Sequence, residues 1–137
     1  MTSVSQLNDQ KLTVLRGIAD TKNNISNVED KITRLQQASS NLAKSISELE
    51  TLKRSIDSLI IDTGKWKGEE KDKFEENYSS YKESVKKFVA STEDAKDAID
   101  QDIKRYEAEK ATWATGLNNL ENELDSIDWK ISQAGKE

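Results

Sequence analysis

Residues 14–35 read VLRGIADTKNNISNVEDKITRL. Val14, Ile18, Ile25, Val28, Ile32 and Leu35 recur there at alternating steps of four and three, with Thr21 filling the one gap. A half-buried strand would alternate every second residue, so this spacing describes a helix with a single apolar stripe. The same steps extend outward to Val4 and to Ile60, and thirteen of the seventeen positions are Val, Ile or Leu. The exceptions are Lys11, Thr21, Ser39 and Lys53. An apolar period of about 3.5 residues, held this long, specifies a helix wound along another helix.

The second half repeats the pattern from Phe74 through Tyr78, Tyr81, Val85, Phe88, Thr92, Ala95 and Ile99. After a second consecutive step of four, to Ile103, it continues through Tyr106, Lys110, Trp113, Leu117, Leu120, Leu124, Ile127, Ile131 and Ala134. The doubled step near Ile99 predicts a local move toward an eleven-residue period and a relaxed supercoil. Between the halves the pattern stops at Asp62-Thr63-Gly64-Lys65-Trp66-Lys67-Gly68, where two of the chain's five glycines suit a helix end and a reversal. Glu69, Glu70 and Asp72 follow, placing acid where the dipole of a new helix favours it.

These signals predict one all-α domain over residues 1–137, a long, coiled-coil-like antiparallel two-helix hairpin. Helix 1 is expected over about 4–62, a turn around the central Trp-x-Gly over 63–68, and helix 2 over about 69–134. Folding at the break sets Ile18 opposite Leu117, Ile32 opposite Ile103 and Leu49 opposite Val85, with Ile60 against Phe74. Such a pair buries one stripe per helix, so homodimerisation or a further helical partner is the physical expectation.

Composition agrees. There is no proline, cysteine or histidine, and charged and hydrophobic residues each make up 34%. That balance suits a narrow buried seam better than a thick core or a disordered tail. The longest apolar run is Leu59-Ile60-Ile61, too short for membrane insertion, and the N-terminus has no signal-peptide pattern, which predicts a cytoplasmic origin. The net charge of −5 comes from residues 65–137, with thirteen basic and eighteen acidic side chains against eight of each in residues 1–64. No basic stripe accompanies it, which argues against binding nucleic acid.

Catalysis is not expected. Without histidine or cysteine, acid–base work would fall to carboxylates, lysines or tyrosines, and neither predicted seam holds an acidic residue. The acidic run Glu93, Asp94, Asp97, Asp100, Asp102 lacks the glycine turn of a calcium loop and reads as a solvated face, so no metal or cofactor is predicted. Lys11, Lys53 and Lys110 on the seams read as register-setting residues. Phe74, Tyr78, Tyr81 and Phe88 read as core, whereas Trp66 and Trp129 miss the seams and are candidate partner contacts. The first helix is rich in uncharged polar residues, which are easier to desolvate than charges. Leu12, Leu15, Ala38, Ala43 and Leu52 lie off its seam and are candidates for an interface along residues 10–55.

A mid-chain Trp-x-Gly between two amphipathic helices resembles the WXG (Esx-type) superfamily of type VII secretion substrates. The sequence Trp66-Lys67-Gly68, with Phe74 six residues after the glycine and long arms on both sides, more closely resembles the YwqH-like family, encoded beside LXG polymorphic toxins in Gram-positive bacteria. The resemblance implies a targeting partner that lies along the helical N-terminal domain of an LXG toxin, with or without a second small helical partner. It also implies presentation to the type VII secretion machinery and export with the cargo, and it marks Trp66, Gly68 and Phe74 as the secretion or partner motif. One departure is plain. The superfamily's export signal, Tyr-x-x-x-(Asp/Glu), is missing: Tyr78, Tyr81 and Tyr106 are followed four residues on by Lys82, Val85 and Lys110. A co-secreted partner would then supply it. The competing reading is a generic coiled-coil scaffold or adaptor, in which Trp66-Lys67-Gly68 is only turn chemistry.

Overall fold

The computed structural model describes residues 3–58 and 68–136. Two helices account for nearly all of them: α1, Val4–Asp57, and α2, Glu69–Ala134. They pack on one another as an all-α helical hairpin.

Each helix begins where its sequence supplies what a helix start requires. Ser3 caps α1: its Oγ accepts from the Gln6 backbone N–H at 3.1 Å, while the Gln6 side chain accepts from the Ser3 N–H at 3.0 Å. That reciprocal pair satisfies two donors that the first turn leaves open. At the start of α2, Gly68 takes a φ of 70°, a left-handed conformation that glycine adopts without strain. Glu69, Glu70 and Asp72 occupy the first turn, as expected. α1 is helical to Asp57, with Ser58 in a turn that hydrogen-bonds back to the Arg54 carbonyl. The rest of the predicted first helix, and the turn with Trp66, lie outside the described residues.

The chain packs as two compact units, Met1–Arg34 with Ile103–Glu137, and Leu35–Asp102. In the first, Val14, Ile18 and Ile127 form a buried cluster with Leu117, Leu120, Leu124 and Ile131 packed against it. Leu117 thus packs against the cluster that holds Ile18. Leu7, Val28 and Ile32 are also buried. Gly17 lets α2 approach: a Cβ placed there would sit 3.4 Å from Leu120 Cδ1. Thr21, a polar exception on the stripe, is buried and donates to the Gly17 carbonyl at 2.7 Å, so it enters the seam without an unmet hydrogen bond.

In the second unit the α1 stripe again faces inward, with Ile56 and Ser39 buried and Leu35, Leu42, Ile46 and Leu49 half-buried. α2 departs from the predicted seam. Tyr81 is 49% exposed and Phe88 61%, and Ala95 is exposed too. The inward positions are Tyr78, Val85, Val89, Thr92, Lys96 and Ile99. Apart from position 82, where Lys82 is exposed, these alternate by threes and fours up to Ile103; with the half-buried Phe74 four residues before Tyr78, the doubled step of four falls at 74–78–82 instead of near Ile99. The reason is the partner helix. The α1 stripe is an unbroken 3.5-residue repeat, and a facing helix keeps contact by following the same repeat rather than the larger aromatic one residue away. Tyr81 and Phe88 are thus not core residues.

Candidate functional site

Within the unit of Met1–Arg34 and Ile103–Glu137, seam lysines are matched by carboxylates on the facing helix. Lys11 Nζ lies 2.8 Å from Asp128 Oδ1, and Lys110 Nζ lies 3.3 Å from Glu29 Oε1. Both pairs are partly exposed, and each joins a seam lysine to a carboxylate just outside the facing seam, the geometry by which charges set register. Lys31 adds a cation–π contact to Tyr106, 5.3 Å from the ring centroid. The candidate contacts of this unit are all exposed: Leu12 53%, Leu15 40% and Trp129 64%. Leu12 and Leu15 are one turn apart on α1, so they form a patch on its flank.

Within Leu35–Asp102 the seam is partly polar. Ser39 Oγ donates to Asp100 Oδ1 at 2.5 Å, and Lys96 Nζ donates to Asp100 Oδ2 at 2.7 Å. The Asp100 hydrogen bond, with the charges of Asp100 and Asp97, outweighs burial and raises the Lys96 pKa above its ordinary value. An acidic group therefore does reach the seam, contrary to the sequence reading. Asp100 follows the inward position 99 by one residue and enters from the side, which an apolar-periodicity scan cannot register. Near the other end of this unit, the Tyr78 hydroxyl donates to the Ile56 carbonyl and the Tyr78 ring stacks on Phe74 at 5.8 Å. Phe74 is half-buried.

Lys53 is the one seam lysine for which the expected register role takes a different form. It lines a notch of about 390 Å³ with Ser79, Lys82, Glu83 and Lys86. Lys53 and Lys82 occupy heptad positions of the two helices yet both are exposed, and neither fills a layer as an aliphatic would. Three ammonium groups against one carboxylate give the notch a positive balance.

The other candidates of this unit separate by flank. Ala38 and Leu52 each precede a seam position, two heptads apart, whereas Ala43 follows the seam residue Leu42. Ala38 is half-buried, Ala43 exposed and Leu52 43% exposed. Ala43 is thus on the opposite flank from Ala38 and Leu52. Of the predicted motif, Gly68 is in place at the start of α2 and Phe74 packs on Tyr78, while Trp66 lies outside the described residues.

The model of the YwqH-like family matches residues 9–129, nearly the whole length of both helices. The chain belongs to the YwqH-like family. Comparison with curated proteins and with solved structures returned no match. For this YwqH-like chain, the described surface thus presents two kinds of feature: large apolar side chains left outside a closed seam, and a lysine-lined notch. Among the described residues, no helix is long and apolar enough to cross a membrane.

Proposed function

We propose that this YwqH-like protein is a non-catalytic targeting partner. It binds the helical N-terminal domain of an LXG-type toxin, with or without a second small helical protein, and helps present the complex to the type VII secretion machinery. The observation that carries the reading is the exposure of Leu12, Leu15, Leu52, Tyr81, Phe88 and Trp129 on helices whose seam is already closed. Large side chains kept in water on otherwise polar helices are what a helical partner would cover. Family membership and the Trp66-Lys67-Gly68 motif direct that partner toward an LXG domain. The lack of histidine and cysteine supports a binding role over a catalytic one. The chain is made in the cytoplasm on this reading and leaves, where it is exported, with its cargo.

Co-expression of the full chain with the N-terminal domain of an LXG toxin from the same genome tests this. The two are expected to co-purify as a stoichiometric complex. Trp66→Ala is expected to reduce secretion or complex formation while leaving helicity and melting unchanged. A chain that stays apart from every LXG domain of its genome is a generic coiled-coil scaffold instead.

A further inference from the structure

Positions 77, 81, 84, 88, 91, 95 and 98 of α2 step by four and three, like a second heptad stripe. All seven are exposed and none is charged. Their surroundings are the opposite: 17 of the 34 residues from Glu69 to Asp102 are charged. Charge has been kept off one strip of a helix that is otherwise saturated with it. The strip carries the two large aromatics that the seam rejects, Tyr81 and Phe88. A solvated face has no physical need of either feature, because Lys and Glu sit well on exposed helix positions and exposed aromatics gain nothing from water.

The facing flank of α1 has the same character. Positions 38, 41, 45, 48, 52 and 55 follow the same steps and hold a single charge, Glu48, with Leu52 43% exposed. Phe88 precedes the inward Val89 by one residue, and Leu52 likewise precedes Lys53. In an antiparallel pair, positions that precede the seam on the two helices lie on the same side. The two strips therefore border one groove within Leu35–Asp102, on the side away from the lysine notch, which is built from residues such as Ser79 and Lys86 that follow inward positions.

We infer that this groove is the seat of one amphipathic helix from a different chain, whose apolar heptad stripe packs between α1 and α2 on Leu52, Tyr81 and Phe88 and whose flanks are acidic. Charge complementarity decides the occupant. The row just outside the α2 strip reads Lys73, Ser80, Lys87, Asp94, two lysines beside the aromatics against one acid, and Lys44 stands on the outer row of α1. Lys87 is 78% exposed and pairs loosely with Glu83, at 3.8 Å. A second copy of this chain would bring the same lysines against these, a like-charge contact that association disfavours. An acid-flanked helix meets them with opposite charge, and the two strips it would cover hold one ion, Glu48. This inference rests on the proposed role as a partner of a helical toxin domain and adds the face and the chemistry by which that domain is held.

The test is titration of the full chain with the LXG N-terminal domain, comparing wild type with Phe88→Glu and Ser84→Glu on the strip, Leu12→Glu in the other unit, and the double variant Lys73→Glu, Lys87→Glu. The five positions are exposed, so circular dichroism and melting should match wild type in each of the four variants. Phe88→Glu and Ser84→Glu are each expected to weaken binding by about tenfold or more, because a charge is placed in a desolvated helix contact. The lysine reversal is expected to weaken it less and to reduce its salt dependence. Binding that survives both strip substitutions but fails with Leu12→Glu overturns this inference and leaves the functional proposal standing. Absence of binding by the wild-type chain overturns the proposal and this inference together. A wild-type chain that is dimeric by light scattering and becomes monomeric on Phe88→Glu assigns the groove to a second copy and overturns the acidic-partner assignment.

Discussion

The two units solve one problem by different means. Met1–Arg34 with Ile103–Glu137 closes its seam with aliphatics: Val14, Ile18 and Ile127 are buried, and Leu117, Leu120, Leu124 and Ile131 pack on them. Its seam lysines, Lys11 and Lys110, are drawn outward to carboxylates of the facing helix. Leu35–Asp102 buries fewer side chains among the described residues, threads Ser39, Asp100 and Lys96 through its seam, and opens a notch where Lys53 and Lys82 replace aliphatics. It also carries Tyr81 and Phe88 in water. Among the described residues most of the buried side chains belong to the apolar unit, and the unit with the looser seam is the one that carries the proposed groove. Binding surfaces are often drawn from the less stable part of a fold.

The largest effect that could break this contrast is a core truncation in each unit. Ile127→Ala removes a 4%-exposed side chain from the aliphatic cluster and is expected to cost about 2–4 kcal/mol. Leu49→Ala, at a half-buried position of the other unit, should cost about 1–2 kcal/mol. Urea denaturation followed by circular dichroism measures both. Equal losses would mean that the second seam is packed as tightly as the first.

A smaller effect separates a polar seam from an apolar one. Ser39→Ala deletes the hydroxyl that donates to Asp100 and leaves that carboxylate with Lys96. A loss of about 1 kcal/mol is expected, the usual net worth of such a bond. An unchanged or raised stability in the same denaturation experiment would make Ser39 a device for register alone.

Gly17→Ala acts in the aliphatic unit with the opposite sign. A helix-interior glycine is less favourable than alanine by about 0.5–1 kcal/mol, and the added methyl would meet Leu120 at an ordinary contact distance of 3.4 Å. A gain of that size in thermal melting is expected. A loss would show that α2 needs the full clearance of the glycine.

These contrasts also mark what could be read from the residues alone. The α1 stripe was legible almost position by position, because an unbroken 3.5-residue repeat leaves little choice of face. α2 was legible from Ile103 onward for the same reason. Upstream, apolarity favoured Phe88 over Val89 and Ala95 over Lys96, and the register imposed by α1 chose the others. Periodicity ranks side chains by hydrophobicity, whereas a seam selects them by position. Asp100 reads from sequence as part of a solvated acidic face, because it stands one residue beside the stripe, yet it reaches Ser39 across the seam. Of the candidate contacts, Leu12, Leu15, Leu52 and Trp129 are exposed, whereas Tyr81 and Phe88, which periodicity reads as core, are exposed as well.

The last effect is the smallest and tests the polar seam through pH. Lys96 is held charged mainly by its hydrogen bond to Asp100, aided by the charges of Asp100 and Asp97, while the uncharged Ser39 of α1 donates to the same carboxylate. Its pKa in the folded chain lies above the ordinary lysine value of 10.5 that the unfolded chain retains. The folded state therefore binds this proton more tightly, so its contribution is complete below pH 10.5 and is lost as the pH rises through the raised folded value. Other lysines deprotonate in the same range, so wild type alone cannot isolate the effect. Lys96→Arg can, because a guanidinium keeps its charge beyond about pH 12 and can still donate to Asp100. Melting temperatures of the two proteins should run in parallel from about pH 7 to pH 10 and then diverge, wild type falling faster. Curves that stay parallel to about pH 11.5 would show that the Lys96–Asp100 contact is too well solvated to contribute, leaving Ser39–Asp100 as the polar link of this seam.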